Sequence, residues 1–365
     1  MKKIPFVVLC ATFYFISLPY SYCQVSQVES LLDSSIYLEA AVVESKYYKK
    51  YNPKLLSSSL RLNSSGLHVP QNIQILSAAI FKDQQLHAIT EGITRNVSGT
   101  FREELHNMIS ADIYSRAGYM AVMRNGVDLR PLGKGPLSDD LAAVENIEFI
   151  KGPSSFLNAI SEPAGAYNIN LKFPDSTVHN RIDLASGSYG LMRVSADFGA
   201  KLDRRNRIRY RLNFMGSKSA GFMNHDYKRR LLINPSFYWQ LNEKRFLTAS
   251  YTYQDMNNLL MSEAQVSPYG FGSLPRNFSI TDPSIRPYQG NDHSFYLNYH
   301  QHLNTGWSIS HKAAYIDNRY SGSIFWVNEV NEAKPHILDR SLVLDNMHFQ
   351  VASWQSYMQG AFLIG

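Results

Sequence analysis

The sequence predicts an α+β domain followed by about eight antiparallel transmembrane β-strands. Two observations carry this prediction: short, mixed helix and strand patterns lie before residue 175, and long runs of apolar and polar alternation follow it. The chain has 365 residues, of which 23 are Tyr, 19 are Phe and 4 are Trp, and only 18% are charged. This composition argues against a disordered protein, and a net charge of +6 does not by itself indicate nucleic-acid binding.

The N-terminal segment, residues 1–23, is predicted to be a secretory signal peptide. Lys2 and Lys3 precede a charge-free apolar stretch that is too short and too interrupted to anchor the chain in a membrane. The best cleavage boundary follows Cys23. Because Cys10 and Cys23 both leave with the signal, the mature sequence has no cysteine for a disulfide, a thiol nucleophile or a metal site.

Two further segments precede the alternating strands. Residues 24–68 are polar and rich in turn-forming residues, and we interpret them as a tether. Residues 69–175 combine short elements without an internal repeat, which is typical of a compact α+β domain. The predicted elements are strands at 72–76, 121–129 and 145–150, helical segments at 78–85 and 90–95, and a turn at 125–126.

Residues 176–365 contain the alternating strands. From 192 to 202 the even positions are apolar and the odd positions are polar or glycine, so one face of the strand is apolar. Similar runs recur at 207–214, 231–241, 247–254 and 294–302.

The connections between these strands point to the architecture. Short connections are predicted at 203–206, 242–244 and 304–306, and long ones at 216–229, 256–292 and 319–348. Regular alternation of short and long connections is typical of an up-and-down transmembrane barrel. The alternative is a soluble exported protein in which the strands form a sandwich and the first domain captures a ligand.

The sequence offers no catalytic constellation. No strand-to-helix nucleophile elbow frames a serine, and we predict that the protein is not an enzyme and needs no cofactor. His300 and His302 share one strand face and His311 lies close across a tight turn, so metal ligation is conceivable. We favour the interpretation that these histidines are ordinary polar residues on the hydrated face of the strands.

A basic ladder follows the polar face of two neighbouring strands. Its members are Arg193, Arg207, Arg209 and Arg211. We interpret the ladder as ion-pair partners for carboxylates of an enclosed domain, and we expect no nucleic-acid partner.

Several segments, taken in order, resemble the plug domain of TonB-dependent outer-membrane receptors, especially siderophore receptors. They are VPQNIQILS (69–77), EGITRNVSGT (91–100), SRAGY (115–119), MRNGVDL (123–129) and IEFIKGPSSFL (147–157). Three more segments resemble the exit of that plug, the first barrel hairpin and a barrel loop: PAGAYNINLKFP (163–174), GSYGLMRVSADFGAKLD (187–203) and YGFGSLPRNF (269–278). One departure is Ala117, because the family usually has glycine directly after the arginine of the third motif.

The resemblance implies a plug at residues 69–175 that blocks a barrel of roughly 22 strands in the outer membrane of a Gram-negative cell. It also implies a ferric siderophore as ligand, outer-membrane lipid as surroundings and the TonB protein as energy-coupling partner. The TonB-box-like residues of the periplasmic tether are Leu38, Glu39, Ala40, Ala41, Val42, Val43 and Glu44. The candidate ligand-binding residues are Arg116, Tyr119, Leu132, Lys134, Phe156, Asn158, Tyr269 and Phe271.

Length is a second departure from the family. Eight strands close, at best, into a barrel that side chains alone can fill, so a plug of roughly 105 residues does not fit inside it. We therefore expect residues 176–365 to be part of a barrel, and the sequence to be incomplete and not competent for transport as written.

Overall fold

The computed structural model describes residues 51, 69–103, 112–130, 140–153, 162–259, 267, 270, 272–303, 306–330, 334 and 337–360. The strands of the first domain are β1 Asn72–Ser77, β2 Thr100–Glu103, β3 Asp112–Ser115, β4 Gly118–Tyr119, β5 Ala121–Arg124, β6 Val127–Asp128, β7 Val144–Lys151 and β8 Gly165–Leu171. Helix α1 spans Ala78–Asp83, and 3-10 turns span Ile93–Asn96 and Leu141–Ala143. The predicted elements are confirmed, except that the helical segment expected at 90–95 is the 3-10 turn.

Five strands of this domain form a mixed sheet in the order β1-β7-β8-β5-β6. Every residue of β8 is buried, because this central strand has a neighbour on each edge and is covered on both faces. Ile147, Phe149 and Ile169 pack between the sheet and the 3-10 turn that carries Ile93. Strands β2, β3 and β4 form a separate three-stranded antiparallel sheet.

The second domain is an eight-stranded antiparallel sheet in which each strand pairs with the next along the chain. Its strands are β9 His179–Gly187, β10 Leu191–Lys201, β11 Ile208–Ala220, β12 Tyr227–Asn242, β13 Arg245–Asn258, β14 Tyr288–His302, β15 Ser308–Val330 and β16 Leu338–Gln359. The prediction of about eight antiparallel strands is confirmed.

The connections differ from the prediction on one side of the sheet. The short turns lie where expected, and a long connection does join β13 to β14. The long connections predicted at 216–229 and 319–348 are wrong, because strand pairing continues to Ala220, from Tyr227, to Val330 and from Leu338. Backbone pairing satisfies the N–H and C=O groups of these residues whatever their side chains, so the loss of simple apolar alternation did not end the strands.

The two faces of the eight-stranded sheet have the reverse polarity of a water-soluble sheet. Polar side chains on the inner face are buried, namely Asn213, Asn234, Ser236, Thr252, Ser294 and Asn318. Large apolar side chains on the opposite face, here called the outward face, are exposed, among them Leu184, Phe237, Trp239 and Trp354. The soluble sandwich is therefore wrong for this sheet, because a sandwich buries its apolar face.

The apolar stripe on the outward face has the height of a bilayer core. On β12 it runs from Leu231 to Leu241, ten residue steps of the strand. At about 3.3 Å per step and a strand tilt of roughly 40°, the stripe is about 25 Å tall. Within the described part of the chain, no helix is both long and apolar enough to cross a membrane.

The first domain, which contains β1 to β8 and is here called the plug, packs against the inner face of the sheet. Met215, Leu232 and Ile316 join the apolar core of the plug. This contact gives the two domains one continuous core, so the plug is positioned by burial as well as by polar contacts.

Charged pairs fix the plug at three places. Arg124 of the plug donates to Asp292 at 2.9 Å and to Ser294 at 2.7 Å, and neither charged side chain is exposed to solvent. Arg193 of β10 donates two hydrogen bonds, of 2.7 and 2.6 Å, to the carboxylate of Asp140 in the plug.

The third place is Asp197 on β10. It accepts from Lys172 of the plug at 3.0 Å and from Arg211 of β11 at 2.8 Å. The interpretation of the basic ladder is confirmed for Arg193 and Arg211, which face plug carboxylates. Arg209 instead stacks over the ring of Tyr238, 3.7 Å from its centroid.

Replacing Asp292 by Asn is expected to lower the free energy of unfolding by about 3–5 kcal/mol, because the buried guanidinium of Arg124 loses the negative charge that faces it. Urea unfolding of the detergent-solubilised chain, followed by tryptophan fluorescence, measures the change. Arg181→Gln is the matched control, since it breaks a pair with Asp183 whose side chains are about half exposed and should cost under about 1 kcal/mol. Equal effects of the two substitutions would contradict a role for the buried pair in holding the plug.

Candidate functional site

The orientation of the plug defines which of its surfaces is open. The end with the 125–126 turn faces the short turns of the sheet, because Gln355 near the base of β16 donates to the carbonyl of Gly126. Arg211, near the base of β11, reaches the carbonyl of Phe173 and the carboxylate of Glu145. The opposite end of the five-stranded sheet therefore points toward the long-connection side.

At that opposite end a tight hairpin joins β3 to β4. Its two central residues, Arg116 and Ala117, have φ values of 52° and 62°. Two successive positive φ values are the signature of a type I′ turn, which matches the twist of the flanking strands. The hairpin is seated closely on the plug, since a Cβ added to Gly118 would lie 2.9 Å from the Cβ of Ala164.

The small sheet carries a row of aromatic rings. Phe101 stacks on Tyr114 with ring centroids 5.3 Å apart, and Tyr114 meets Tyr119 edge to face at 5.8 Å. Phe101 is 53% exposed, so its outer ring face is available to a flat ligand. Burial, followed by the nearby Asp112 and Tyr114, raises the pKa of Tyr119 to about 12. Its hydroxyl is therefore protonated at neutral pH.

Positive charge also lies at the hairpin, where Arg116 neighbours Lys151. Burial and the neighbouring Arg116 lower the pKa of Lys151. Its ammonium donates to Ser98 at 3.0 Å and to Gln74 at 3.3 Å. A cleft of about 520 Å³ lies between the Ile93–Asn96 turn and β2, bordered by Arg95, Phe101 and Arg102 among others. The cleft and the aromatic row share Phe101, so Arg95 and Arg102 bring positive charge, and Glu91 negative charge, beside an exposed ring that can stack on a flat ligand.

The structure brings together two of the residues that the sequence nominated for ligand binding, Arg116 and Tyr119, at the β3–β4 hairpin. The others lie outside the described residues: Leu132, Lys134, Phe156, Asn158, Tyr269 and Phe271. The TonB-box-like segment 38–44 also lies outside them. Sequence reasoning missed Phe101, Tyr114 and Lys151, because the contact of Phe101 with Tyr114 depends on the register of β2 and β3 and the contacts of Lys151 depend on tertiary packing.

The three histidines considered for metal ligation do not converge. His300 faces inward, lies 4.5 Å from His302 between ring centroids and contacts Ser310 through Nδ1. His311 is opposite Tyr299 and therefore on the outward face, where its ring lies beside Trp354. Among the described residues, no group of three or more His, Cys, Asp or Glu side chains is arranged to hold a metal ion.

Comparison with known proteins identifies the fold. The metal-pseudopaline receptor CntO of Pseudomonas aeruginosa is 30% identical over 171 residues, which cover 47% of this chain and 24% of that receptor. The ferrichrome outer membrane transporter and phage receptor of Escherichia coli is 22% identical over 328 residues, covering 81% of this chain and 43% of the transporter. No protein-family model matches the chain.

A solved structure agrees with these relatives. The pyoverdine outer membrane receptor FpvA of Pseudomonas aeruginosa, bound to pyoverdine, superposes with a TM-score of 0.78 at 17% identity, covering 86% of this chain and 47% of FpvA. The fold is therefore that of a plug packed beside the barrel strands of an outer-membrane receptor. More particularly, the chain is similar to outer-membrane receptors and transporters for siderophores and metal complexes. It spans less than half the length of the curated relatives it matches.

Ala117 explains physically why glycine suits the position after the arginine. Its φ of 62° lies in the left-handed region, which costs a residue with a Cβ about 1 kcal/mol or more. Ala117→Gly is therefore expected to raise the free energy of unfolding by about 0.5–1 kcal/mol in urea titrations. Ala121→Gly in buried β5, where φ is not positive, is the control and should lower it by about 1 kcal/mol. A loss of stability in Ala117→Gly would contradict the strain.

Proposed function

We propose that this chain belongs to an outer-membrane receptor that takes up a ferric siderophore and draws energy from TonB. The observation that carries the proposal is the exposed aromatic and cationic surface at the long-connection end of the plug. The names of the relatives support a chelated metal as ligand, since one is a metal-pseudopaline receptor and another a ferrichrome transporter.

The chemistry of this surface suits a chelate better than a bare ion. A ferric siderophore brings its iron already ligated, so the receptor needs to recognise only the shape and charge of the complex. Phe101 offers a flat ring for stacking, Arg116 a positive charge for an anionic chelate, and the Tyr119 hydroxyl a hydrogen-bond donor. The proposed loop residues Leu132, Lys134, Phe156, Asn158, Tyr269 and Phe271 would extend this surface.

Import requires work from outside the outer membrane, because the ligand must pass a plug that is held by buried ion pairs and a shared core. We propose that residues 38–44, in the tether that follows the signal peptide, add as a strand to TonB. A pull on this segment would then act on the plug, whose first strand begins at Asn72.

The alternatives are weaker. A soluble binding protein would leave the apolar outward face in water, where Phe237, Trp239 and Trp354 are exposed. An enzyme lacks support from the relatives named above, which are receptors and transporters.

Replacing Phe101 by Ala is expected to weaken binding of a ferric siderophore about tenfold, because the stacking surface is removed, and Arg116→Gln to weaken it by a similar factor. Ferrioxamine B and ferric pyoverdine serve as probes, titrated by calorimetry into the detergent-solubilised full chain. Phe237→Ala is the matched control, since Phe237 is 51% exposed and lies on the outward face. Binding that is equally affected by Phe101→Ala and Phe237→Ala, or absent for both probes in the parent chain, would refute the proposed site.

The coupling segment has its own test. Val42→Pro removes a backbone N–H and fixes φ, so pairing with a TonB strand should be lost. Co-purification of the full chain with the periplasmic domain of TonB measures this loss. Ser57→Pro, in the same tether but outside residues 38–44, should leave co-purification unchanged. If both substitutions abolish or both preserve the complex, residues 38–44 are not the coupling strand.

A further inference from the structure

Two cations oppose each other on the outward face of the sheet. Lys218 of β11 pairs directly with Arg229 of β12, and both side chains are exposed. The alternation places Lys218 on the same face as Phe214, and Arg229 on the same face as Leu231. Like charges directly opposite on neighbouring strands are destabilising, so this arrangement needs a compensating partner.

The described part of the chain does not supply that partner. Among the described residues, neither Lys218 nor Arg229 forms an ion pair with a carboxylate. Asp255 lies on the same face opposite Leu231, two residue pairs below Arg229, and is not bridged to Arg229. The guanidinium of Arg229 lies 5.9 Å from the ring of Tyr227, whose hydroxyl donates to Asn257.

The neighbouring charge on the other face is used differently. Arg230 faces inward and lies 3.9 Å from Asp140 of the plug. Arg230 therefore interacts with the plug, whereas Lys218 and Arg229 point away from it.

The height of the pair is the second observation. Lys218 and Arg229 stand two residue pairs above Leu231, where the apolar stripe begins. Since that stripe is about 25 Å tall, the pair lies where hydrocarbon gives way to lipid headgroups. Beneath the pair, Phe214 and Ile233 are opposite each other and continue the apolar surface downward.

We propose that Lys218 and Arg229 together bind the phosphate of an anionic lipid in the outer leaflet, with its acyl chains lying along Phe214, Leu231 and Ile233. A lipid is complementary to both parts of this surface, because its phosphate can pair with the two cations and its acyl chains can pack on the apolar stripe. Arg229 supplies a planar donor fork and Lys218 a point charge for phosphate oxygens. The proposal rests on the outer-membrane orientation of the proposed function, but not on siderophore binding.

The experiment measures lipid retention by the full chain in detergent. The chain is equilibrated with mixed micelles that contain equal amounts of phosphatidylglycerol and phosphatidylcholine, and retained lipids are counted by native mass spectrometry. The parent chain should prefer phosphatidylglycerol, Arg229→Gln or Lys218→Gln should reduce the preference about fivefold, and the double variant about twenty-fivefold. Added salt should weaken the preference.

Two further variants keep the result interpretable. Lys218→Glu turns the repulsive pair into an ion pair, so the sheet is not destabilised while the phosphate site is lost. Arg319→Gln is the matched control, because Arg319 is also exposed on the outward face but is already paired with Asp317 at 2.9 Å. It should leave the preference for phosphatidylglycerol unchanged.

Specific outcomes would overturn the proposal. Equal retention of the two lipids by the parent chain, or an unchanged preference in Lys218→Glu, would exclude a lipid-phosphate site. Displacement of phosphatidylglycerol by an equal concentration of inorganic phosphate would assign the pair to free phosphate instead. Ferric siderophore titrations of the same variants report separately on the proposed function, because both cations lie on the outward face of the sheet, whereas Phe101 belongs to β2 of the plug.

Discussion

The structure depends on one constraint: a sheet that turns its apolar side chains outward must find partners for the polar side chains on its inner face. Buried polar groups are costly unless they are hydrogen-bonded. Some partners lie within the sheet, as where Asn234 donates to the hydroxyl of Thr252 at 2.8 Å. Others come from the plug, as where Arg124 meets Asp292. The plug therefore supplies part of the hydrogen bonding that the buried polar groups of the inner face require, and the sheet in turn positions the proposed ligand surface of the plug.

The same constraint determines how the plug is held against the inner face of the sheet. Burial of Met215, Leu232 and Ile316 against the plug gives a non-directional contact, whereas the ion pairs define register. Buried pairs add little net stability compared with well-packed apolar residues, yet breaking one of them is costly. An interface of this kind holds the plug in one orientation and yields only when several charged contacts separate together.

Much of the fold could be predicted from the sequence because period-two alternation reports directly on a sheet with two unlike faces. The runs at 192–202 and 231–241 define strands, and the segments 72–76 and 145–150 define plug strands. The extent of β15 and β16 could not be predicted, since above the apolar stripe polar residues such as Arg319 replace apolar ones on the outward face, while Tyr320 and Ile324 are buried on the inner face. Pairs such as Arg124 and Asp292 are 168 residues apart and depend on tertiary packing. The ligand surface was predicted only through Arg116 and Tyr119, because the stacking of Phe101 on Tyr114 arises from strand register.

The length of the β15–β16 hairpin determines which part of the protein a macromolecule outside the cell contacts first. β15 runs to Val330, well past Asp317 at the upper edge of the stripe, and β16 accompanies it with regular backbone pairing. At about 3.3 Å per residue and a tilt of roughly 40°, this projection stands about 30 Å above the bilayer. In the proposed orientation this hairpin would be a stiff two-stranded projection on the extracellular side. An antibody or a phage tail arriving from the medium would contact it before reaching the membrane.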